Sequence, residues 1–194
     1  ITAIEGVRYY DSAGRTWERQ VFVKARPVAG ALDLGCEFLS EMQPWVYRRY
    51  LSRADISGIA ALKRRLEKQA ASAENGSYNV KTGPGGIRDI EFVIQFLQLL
   101  NGSDLPALRT SNTLQAIQAL EQAGCLVMQE REVLEANYRF LRRLEHYLQI
   151  MFDLKTHTMP NAEHELQRLA TRIGYRDQPH KPAWQQLHDE WTEK

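Results

Sequence analysis

The stretch Lys81–Leu100, KTGPGGIRDIEFVIQFLQLL, decides the fold class. Its apolar side chains recur at three- and four-residue steps, which predicts a helix over 86–101 that is opened by a Gly-Pro-Gly-Gly loop. The start of this helix nevertheless carries Arg88, Asp89 and Glu91. Buried charges are costly unless they are paired, so this end of the helix is either solvated or faces a partner.

The first 30 residues carry the signals of two short helices. Thr2 and Glu5 have the spacing of a capping box, in which each side chain binds the other residue's backbone N–H. Thr16 is expected to cap a second helix that ends before Pro27, although Gln20–Ala25 also has the β-branched content of a strand. We expect residues 1–30 to form a small unit of their own.

Helical signals continue through residues 31–194, and no segment there argues for a strand. We expect a helix or two over 33–51 with Pro44 in a first turn, and then a charged helix that begins at Asp55 or Ser57. After the 86–101 helix, a further helix is capped by Ser111 or Asn112 and stops at Gly124, and a long helix covers 129–154. The last two helices are one that is capped by Asn161 and ends at Gly174, and one with Pro182 near its start. The sequence therefore predicts an all-α protein, with residues 31–194 forming an antiparallel helical bundle.

Composition excludes several classes of protein. Lys and Arg number 25 against 24 Asp and Glu, so no bulk charge favours nucleic acid or an anionic membrane as a partner. No apolar run reaches the roughly 18 residues that a membrane span needs. Cys36 and Cys125 lack the spacing of a metal site, and we expect them to be buried thiols of a cytoplasmic protein.

Two of the predicted helices carry a line of polar residues. Arg88, Glu91, Gln95 and Gln98 fall on one narrow stripe of an otherwise apolar helix. Such a stripe predicts either a buried structural network or an edge that faces a ligand. A second stripe, on the long helix, runs through Glu135, Arg139, Arg142, His146, Gln149 and Asp153, and its mixed charges are typical of a solvated face.

Two short segments are candidates for binding an anion. Gly85 and Gly86 permit close approach of a backbone, and the helix that follows offers N–H groups at its positive end, although this is not a Walker loop. The alternative is a tight turn that starts a helix and binds no ligand. Lys24 and Arg26 could aim two cations into one region. His157 is expected to be structural, because no Cys or Ser nucleophile is spaced to use it.

Two-metal phosphoryl chemistry requires close carboxylates, and the sequence does not supply them. Asp89 and Glu91 are two positions apart on a helix, so their side chains point about 200° apart. We expect no metal site in this chain.

Three segments, WERQVFVKARPVAG, GPGGIRDIEFVIQ and LRRLEHYLQ with THTMP, resemble the bacterial bifunctional glutamine synthetase adenylyltransferase/adenylyl-removing enzymes. The match runs in order from about Ile1 to Tyr175. It implies a fragment of a longer enzyme that has two nucleotidyltransferase units, each a catalytic palm followed by a helical domain. Residues 1–30 would be the end of a palm and 31–194 the helical domain, most similar to that of the adenylyl-removing unit.

The resemblance also implies a reaction, cofactors and partners. The adenylyl-removing unit uses phosphate to release ADP from adenylyl-tyrosine on glutamine synthetase, and the enzyme also binds ATP and responds to the PII signalling protein. Its Mg²⁺ ligands lie on the palm in a Gly-Ser-x-x-Asp-x-Asp pattern, which this sequence does not contain, so the chain alone is expected to be inactive. On this resemblance we expect Arg88, Asp89 and Glu91 to border the nucleotide cleft, with Lys24 and Arg26 near the transferred phosphate. The alternative is a buried Arg–Glu network that holds the bundle together.

Two other functions are compatible with the same residues. The helices could form a docking module that binds glutamine synthetase or PII through the charged segment LKRRLEKQ. The chain could also be the helical domain of a PII uridylyltransferase, although KARPVAG argues against that alternative.

Overall fold

The computed structural model describes residues 2–73, 78–152 and 156–193 of the chain. Within these ranges the secondary structure is helical, and the extended contacts are two isolated antiparallel bridges, Asn79 with Thr158 and Gln178 with Lys181. The predicted all-α fold class is confirmed. None of the helices in the described ranges is both long and apolar enough to cross a membrane.

The helices are α1 Ala3–Ala13, α2 Thr16–Phe22, α3 Leu32–Val46, α4 Arg53–Ala73, α5 Ile87–Asn101, α6 Thr113–Gln122, α7 Met128–Phe152, α8 Glu163–Ile173 and α9 Ala183–Glu193, with a 3₁₀ turn at Pro106–Leu108 between α5 and α6. Every predicted helix is present. The expected end of the long helix at residue 154 lies outside the described residues, because α7 is described to Phe152.

Several helix ends follow the sequence signals. Thr2 and Glu5 form the expected capping box, with Glu5 N–H donating to Thr2 Oγ1 at 3.2 Å and Thr2 N–H donating to Glu5 Oε2 at 2.7 Å. Asn112 caps α6 by accepting from two backbone N–H groups. Gly124 and Gly174 follow α6 and α8 with positive φ angles, which glycine adopts without strain.

Two predicted N-caps are wrong by one residue. α2 begins after Arg15 rather than at a Thr16 cap, because the Glu18 carboxylate accepts from Arg15 N–H at 2.6 Å. α8 is preceded by Ala162 instead of Asn161, and no side chain caps it. Acidic residues in the first turn of each helix compensate, since they favour the positive end of the helix.

α4 begins earlier than predicted. Ser52 and Asp55 form a reciprocal pair, in which Asp55 N–H donates to Ser52 Oγ at 3.1 Å and Ser52 N–H donates to Asp55 Oδ2 at 3.0 Å. Asp55 is therefore the acidic partner of the capping residue Ser52, and the helix starts at Arg53.

Pro44 and Cys36 also differ from the expectations. Pro44 lies in the last turn of α3, so the helix ends shortly after it at Val46 instead of beginning there. Cys36 is exposed on the same helix, and Cys125 is half-buried.

The chain forms two compact units that are interleaved along the sequence. The first comprises Ile1–Arg65 and Glu91–Glu132, and the second comprises Leu66–Ile90 and Val133–Lys194. Both α5 and α7 contribute residues to each unit. The expected division into residues 1–30 and 31–194 stays a prediction.

Aromatic packing joins the first three helices within the first unit. The rings of Tyr10, Phe22 and Trp45 are in contact, with centroids 4.8–5.7 Å apart. The contacts are edge-on or tilted, which brings the positive edge of one ring towards the negative face of another. The buried core around them contains Val23, Met42, Trp45, Val46, Tyr47, Ile59, Phe92 and Leu99.

A charge pair between a buried arginine and a half-buried aspartate lies beside this core. Arg19 is 3% exposed, its guanidinium stacks 5.1 Å from the Trp45 ring centroid, and its Nη1 lies 3.4 Å from Asp55 Oδ1. Thr16 Oγ1 donates to the same Asp55 oxygen at 2.9 Å. Burial alone would raise the pKa of Asp55, but hydrogen bonds from Ser52 and Thr16 and the charge of Arg19 outweigh it and lower the pKa.

Asp55→Asn tests this balance through the pH dependence of stability. A lowered pKa in the folded state contributes stability that is present above the unfolded-state pKa of about 3.9 and is lost as the pH falls through the folded-state pKa. We therefore expect the wild type to lose more of its free energy of unfolding than Asp55→Asn on acidification through this range. Urea unfolding at successive pH values measures both losses.

Asp104→Asn, which removes an exposed carboxylate with no bond to α4, is the control and should follow the wild type. Equal pH dependence of the wild type and Asp55→Asn would contradict the prediction.

Candidate functional site

The loop between α4 and α5 folds back and supplies acceptors to the start of α5. Gly86 N–H donates to Gly83 O at 2.9 Å, Ile87 N–H to Val80 O at 3.1 Å, and Arg88 N–H to Lys81 O at 2.9 Å. These are N–H groups that a helix start ordinarily leaves to water or a ligand. The expectation that α5 offers unoccupied N–H groups to an anion is therefore wrong.

Gly85 and Asp89 form a further hydrogen bond between the same loop and the first turn of α5. Gly85 has a φ of 71°, and its N–H donates to Asp89 Oδ2 at 2.9 Å. The Asp89 carboxylate is thus bound to its own loop. Among the described residues, no group of three or more His, Cys, Asp or Glu side chains could hold a metal ion.

Side chains brace the loop from residue 78 to residue 86, which we call the 78–86 loop. Asn79 Oδ1 accepts from the backbone N–H groups of Lys81 and Thr82, both at 3.0 Å. Tyr78 donates its hydroxyl to Pro84 O at 2.6 Å. The loop is therefore shaped by its own hydrogen bonds.

The 78–86 loop also pairs with the segment that precedes α8. Val80 N–H donates to His157 O and Met159 N–H donates to Tyr78 O, both at 2.8 Å. Two segments that are far apart in the chain, 78–80 and 157–159, thus lie side by side in the second unit.

A buried carboxylate on α7 completes this arrangement. Glu145 is 6% exposed and accepts from Arg142 Nη1 at 2.7 Å through Oε2. Its Oε1 lies 2.9 Å from His157 Nδ1, without the alignment of a hydrogen bond, and 3.8 Å from Lys81 Nζ. We call Lys81, Arg142, Glu145 and His157 the Glu145 cluster.

The Glu145 cluster is not among the sites predicted from the sequence, which indicates only a structural role for His157. The signal that could have found Glu145 is its place on α7, three and four residues from the buried Leu148 and Leu141. A carboxylate in line with core positions must be paired, because an unpaired buried charge is costly.

At one end of the polar stripe of α5, Gln98 makes hydrogen bonds within the fold. Gln98 is 1% exposed, and its Nε2 donates to Leu108 O at 2.6 Å and to Thr110 O at 2.9 Å. Gln95, Arg88 and Glu91, the other members of the stripe, are half-buried. The buried network that the sequence left open is therefore present at Gln98.

The stripe of α7 is a solvated face in its described part, as the sequence predicted. Arg139 is 57% exposed and pairs with Glu135 at 2.7 Å across one helical turn. Arg142 and His146 are exposed, and Gln149 is half-buried. Asp153 lies outside the described residues.

Lys24 and Arg26 have different surroundings. Lys24 Nζ donates to Ser111 O at 3.0 Å and to Thr113 Oγ1 at 2.5 Å, so it joins the end of the first 30 residues to the start of α6. Arg26 is exposed. These two residues belong to the first unit together with Glu91 and Gln95, whereas Gly85, Gly86, Arg88 and Asp89 belong to the second.

The amino-acid sequence of this chain is similar to those of known proteins. Residues 57–194 match the family described as GlnD PII-uridylyltransferase, and the chain belongs to that family.

Full-length relatives bear the name that the sequence resemblance suggested. The chain is 40% identical over 173 residues to the bifunctional glutamine synthetase adenylyltransferase/adenylyl-removing enzyme of Mesorhizobium japonicum, a match that covers 88% of this chain and 18% of the relative. It is also 42% identical to the protein of the same name from Rhizobium meliloti, over 87% of this chain and 17% of that relative. The protein of the same name from Xanthomonas axonopodis pv. citri is likewise 42% identical, over 87% of this chain and 18% of that relative. The chain spans less than a fifth of the length of these relatives, and the predicted resemblance is confirmed.

Gly86→Ala tests the close approach in the 78–86 loop. A Cβ at Gly86 would lie 2.8 Å from the carbonyl oxygens of Gly83 and Val80 and 3.0 Å from that of Lys81, so the backbone must shift. We expect a loss of about 2 kcal/mol in the free energy of unfolding, as for an overpacked site. Urea unfolding followed by tryptophan fluorescence measures it.

Gly85→Ala is the matched control, because a Cβ there meets no atom within 4 Å and only the positive φ is unfavourable. Its expected cost is about 1 kcal/mol. An equal cost at both glycines would show that close approach does not matter.

Gln98→Leu tests the structural end of the α5 stripe. The variant leaves the carbonyls of Leu108 and Thr110 without their buried donor, and we expect a loss of about 2 kcal/mol in the free energy of unfolding. Gln95→Leu, on the same helix and half-buried, should change it by no more than about 0.5 kcal/mol. Unfolding curves of the two variants that coincide would refute this assignment.

Proposed function

We propose that this chain is the helical part of a nucleotidyltransferase that controls glutamine synthetase by reversible adenylylation of a tyrosine. Two segments of the sequence resemblance, RRLEH and THTMP, meet where His157 contacts Glu145, and Lys81, two residues before GPGGIRDIEF, reaches the same carboxylate. That convergence is the observation that carries the proposal. The names of the full-length relatives support it.

The reaction that we assign to the nucleotidyltransferase unit containing this chain is adenylyl removal. Phosphate attacks the phosphorus of the adenylyl-tyrosine, the bond to the tyrosine oxygen breaks, and ADP and the free tyrosine are released. Mg²⁺ would neutralise charge on the phosphoryl oxygens, held by carboxylates of a palm domain.

The part of this chain in the reaction is to border the nucleotide cleft. Arg88 is half-buried in the first turn of α5, and its backbone is fixed to Lys81 O. A guanidinium on a fixed backbone can stabilise negative charge that develops on a transferred phosphoryl group, because it needs little reorganisation. Gly85 and Gly86 shape the loop that holds Arg88 in place. The partners of the whole protein would be glutamine synthetase and the PII signalling protein.

Arg88→Ala in the full-length protein that carries this chain tests the proposal. With adenylylated glutamine synthetase and phosphate as substrates, we expect the rate of ADP release to fall by at least about tenfold, because one electrostatic contact to the phosphoryl group is lost. The melting temperature should stay within about 2 °C of the wild type, as for substitutions away from the core.

Arg64→Ala, which removes an exposed arginine on α4, is the control and should leave both quantities unchanged. A lower melting temperature with unchanged activity would make Arg88 a structural residue. Adenylylation from ATP without phosphate-dependent ADP release in the wild type would assign the chain to the opposite reaction.

A further inference from the structure

We propose that residues 48–53, which join α3 to the start of α4, form a docking surface for an acidic segment of a partner protein. The arginines of this surface bind carboxylates of the partner, and the exposed ring of Tyr50 packs against an apolar side chain between them. The surface lies in the first unit, and the inference does not depend on the proposed reaction.

The first argument is that the nearby carboxylate is already used within the fold. Asp55 is the single acidic residue in 48–55, a stretch that also contains three arginines. Its side chain is 12% exposed, accepts hydrogen bonds from Ser52 and Thr16, and pairs with the buried Arg19. Asp55 therefore neutralises a charge in the interior and leaves the arginines of the surface unpaired.

The three arginines of the surface are exposed and available to a partner. Among the residues that the structure describes, Arg48, Arg49 and Arg53 make no hydrogen bond and no ion pair, and Arg49 lies over the ring of Tyr50 at 5.8 Å. A guanidinium carries a permanent charge and several N–H donors, which match a carboxylate through two parallel hydrogen bonds. The surface thus presents strong donors for acidic side chains.

The second argument is that the fold itself disfavours two of these charges. Burial lowers the pKa of the Arg19 guanidinium, the positive charge of Arg48 lowers it further, and Asp55 opposes them only in part. Arg53 is the first residue of α4, where the positive end of the helix repels a cation. Residues that break a local rule of stability are expected at functional sites. A negatively charged partner would relieve both repulsions.

The third argument identifies the partner as a protein segment instead of a small anion. Tyr50 is 79% exposed, and Ile56 in the first turn of α4 is 42% exposed, so large apolar side chains accompany the arginines. Tyrosine and arginine are enriched among the residues that supply most of the binding energy in protein interfaces. Carboxylates alternating with apolar side chains complement such a surface.

Fluorescence anisotropy of a fluorescein-labelled peptide of alternating glutamate and phenylalanine, titrated with the 194-residue chain, tests the surface. We expect saturable binding that weakens as the salt concentration is raised. Arg48→Gln combined with Arg49→Gln should raise Kd at least about fivefold, and Tyr50→Ala should also weaken binding. Absence of saturable binding, or equal binding of a peptide with glutamine in place of glutamate, would overturn the proposal.

Arg64→Gln combined with Arg65→Gln is the matched control. These residues are also adjacent exposed arginines of the first unit, but they lie in the middle of α4. The Kd of this variant should stay within about twofold of the wild type, as for exposed charges outside an interface. Equal weakening by the two double variants would indicate unspecific charge attraction, and greater weakening by the control would move the docking surface to LKRRLEKQ. Either result would overturn the proposal.

Arg53→Gln separates binding from folding. It should weaken binding while the melting temperature stays at or above that of the wild type, because a cation is removed from the positive end of α4. Weaker binding together with a lower melting temperature would assign Arg53 to the fold and contradict the second argument. A labelled oligothymidylate that binds more tightly than the peptide, with the same dependence on Arg48 and Arg49, would make nucleic acid the partner and overturn the proposal.

Discussion

The arrangement of the second unit depends on one constraint, the return of the 78–86 loop onto the start of α5. A helix leaves its first N–H groups without partners inside the helix. Here the carbonyls of Val80 and Lys81 accept from the first two N–H groups of α5, and that of Gly83 accepts from the residue before the helix. Only glycine fits at position 86, where three carbonyl oxygens surround the Cα. The loop sequence is therefore selected for a backbone that caps its own helix.

Because the loop is fixed, it can hold a charge in place. Lys81 follows Asn79, whose side chain orders two backbone N–H groups, and Val80 is paired with the backbone of His157. The side chains of Lys81 and His157 reach the same carboxylate oxygen of Glu145 from two segments of the chain. A buried carboxylate surrounded in this way orients cations, and its desolvation is offset by their charge.

The sequence predicted the helices well and their ends less well. Periodicity found α5 and α7, because long apolar stripes have few alternatives, and capping signals found Thr2 and Asn112. Ser52 was missed because its partner Asp55 is the more familiar cap, and Asn161 was preferred over Ala162 although the helix needs no side-chain cap. Such errors arise where two local signals compete within one turn.

The candidate site was harder to predict, since contacts between distant segments decide it. The order of RRLEH and THTMP in the chain does not reveal that they meet, and the position of Glu145 in line with Leu141 and Leu148 indicates burial but not which residues pair with it. Lys24 shows the opposite case. Its place beside Arg26 suggested an anion, but its ammonium is engaged by Ser111 and Thr113 at the start of α6.

The α5 stripe shows how one helix face can serve two purposes. Gln98 is buried and satisfied by two carbonyls, so its polarity is fully used within the fold. Arg88, three turns earlier, is held at the backbone by Lys81 O while its side chain is half-buried. A neutral amide can be satisfied by carbonyls in a core, but a guanidinium with five donors and a permanent charge needs an anion or water. Charge is therefore the property that separates Gln98, which is satisfied within the fold, from Arg88, whose guanidinium needs an anion or water.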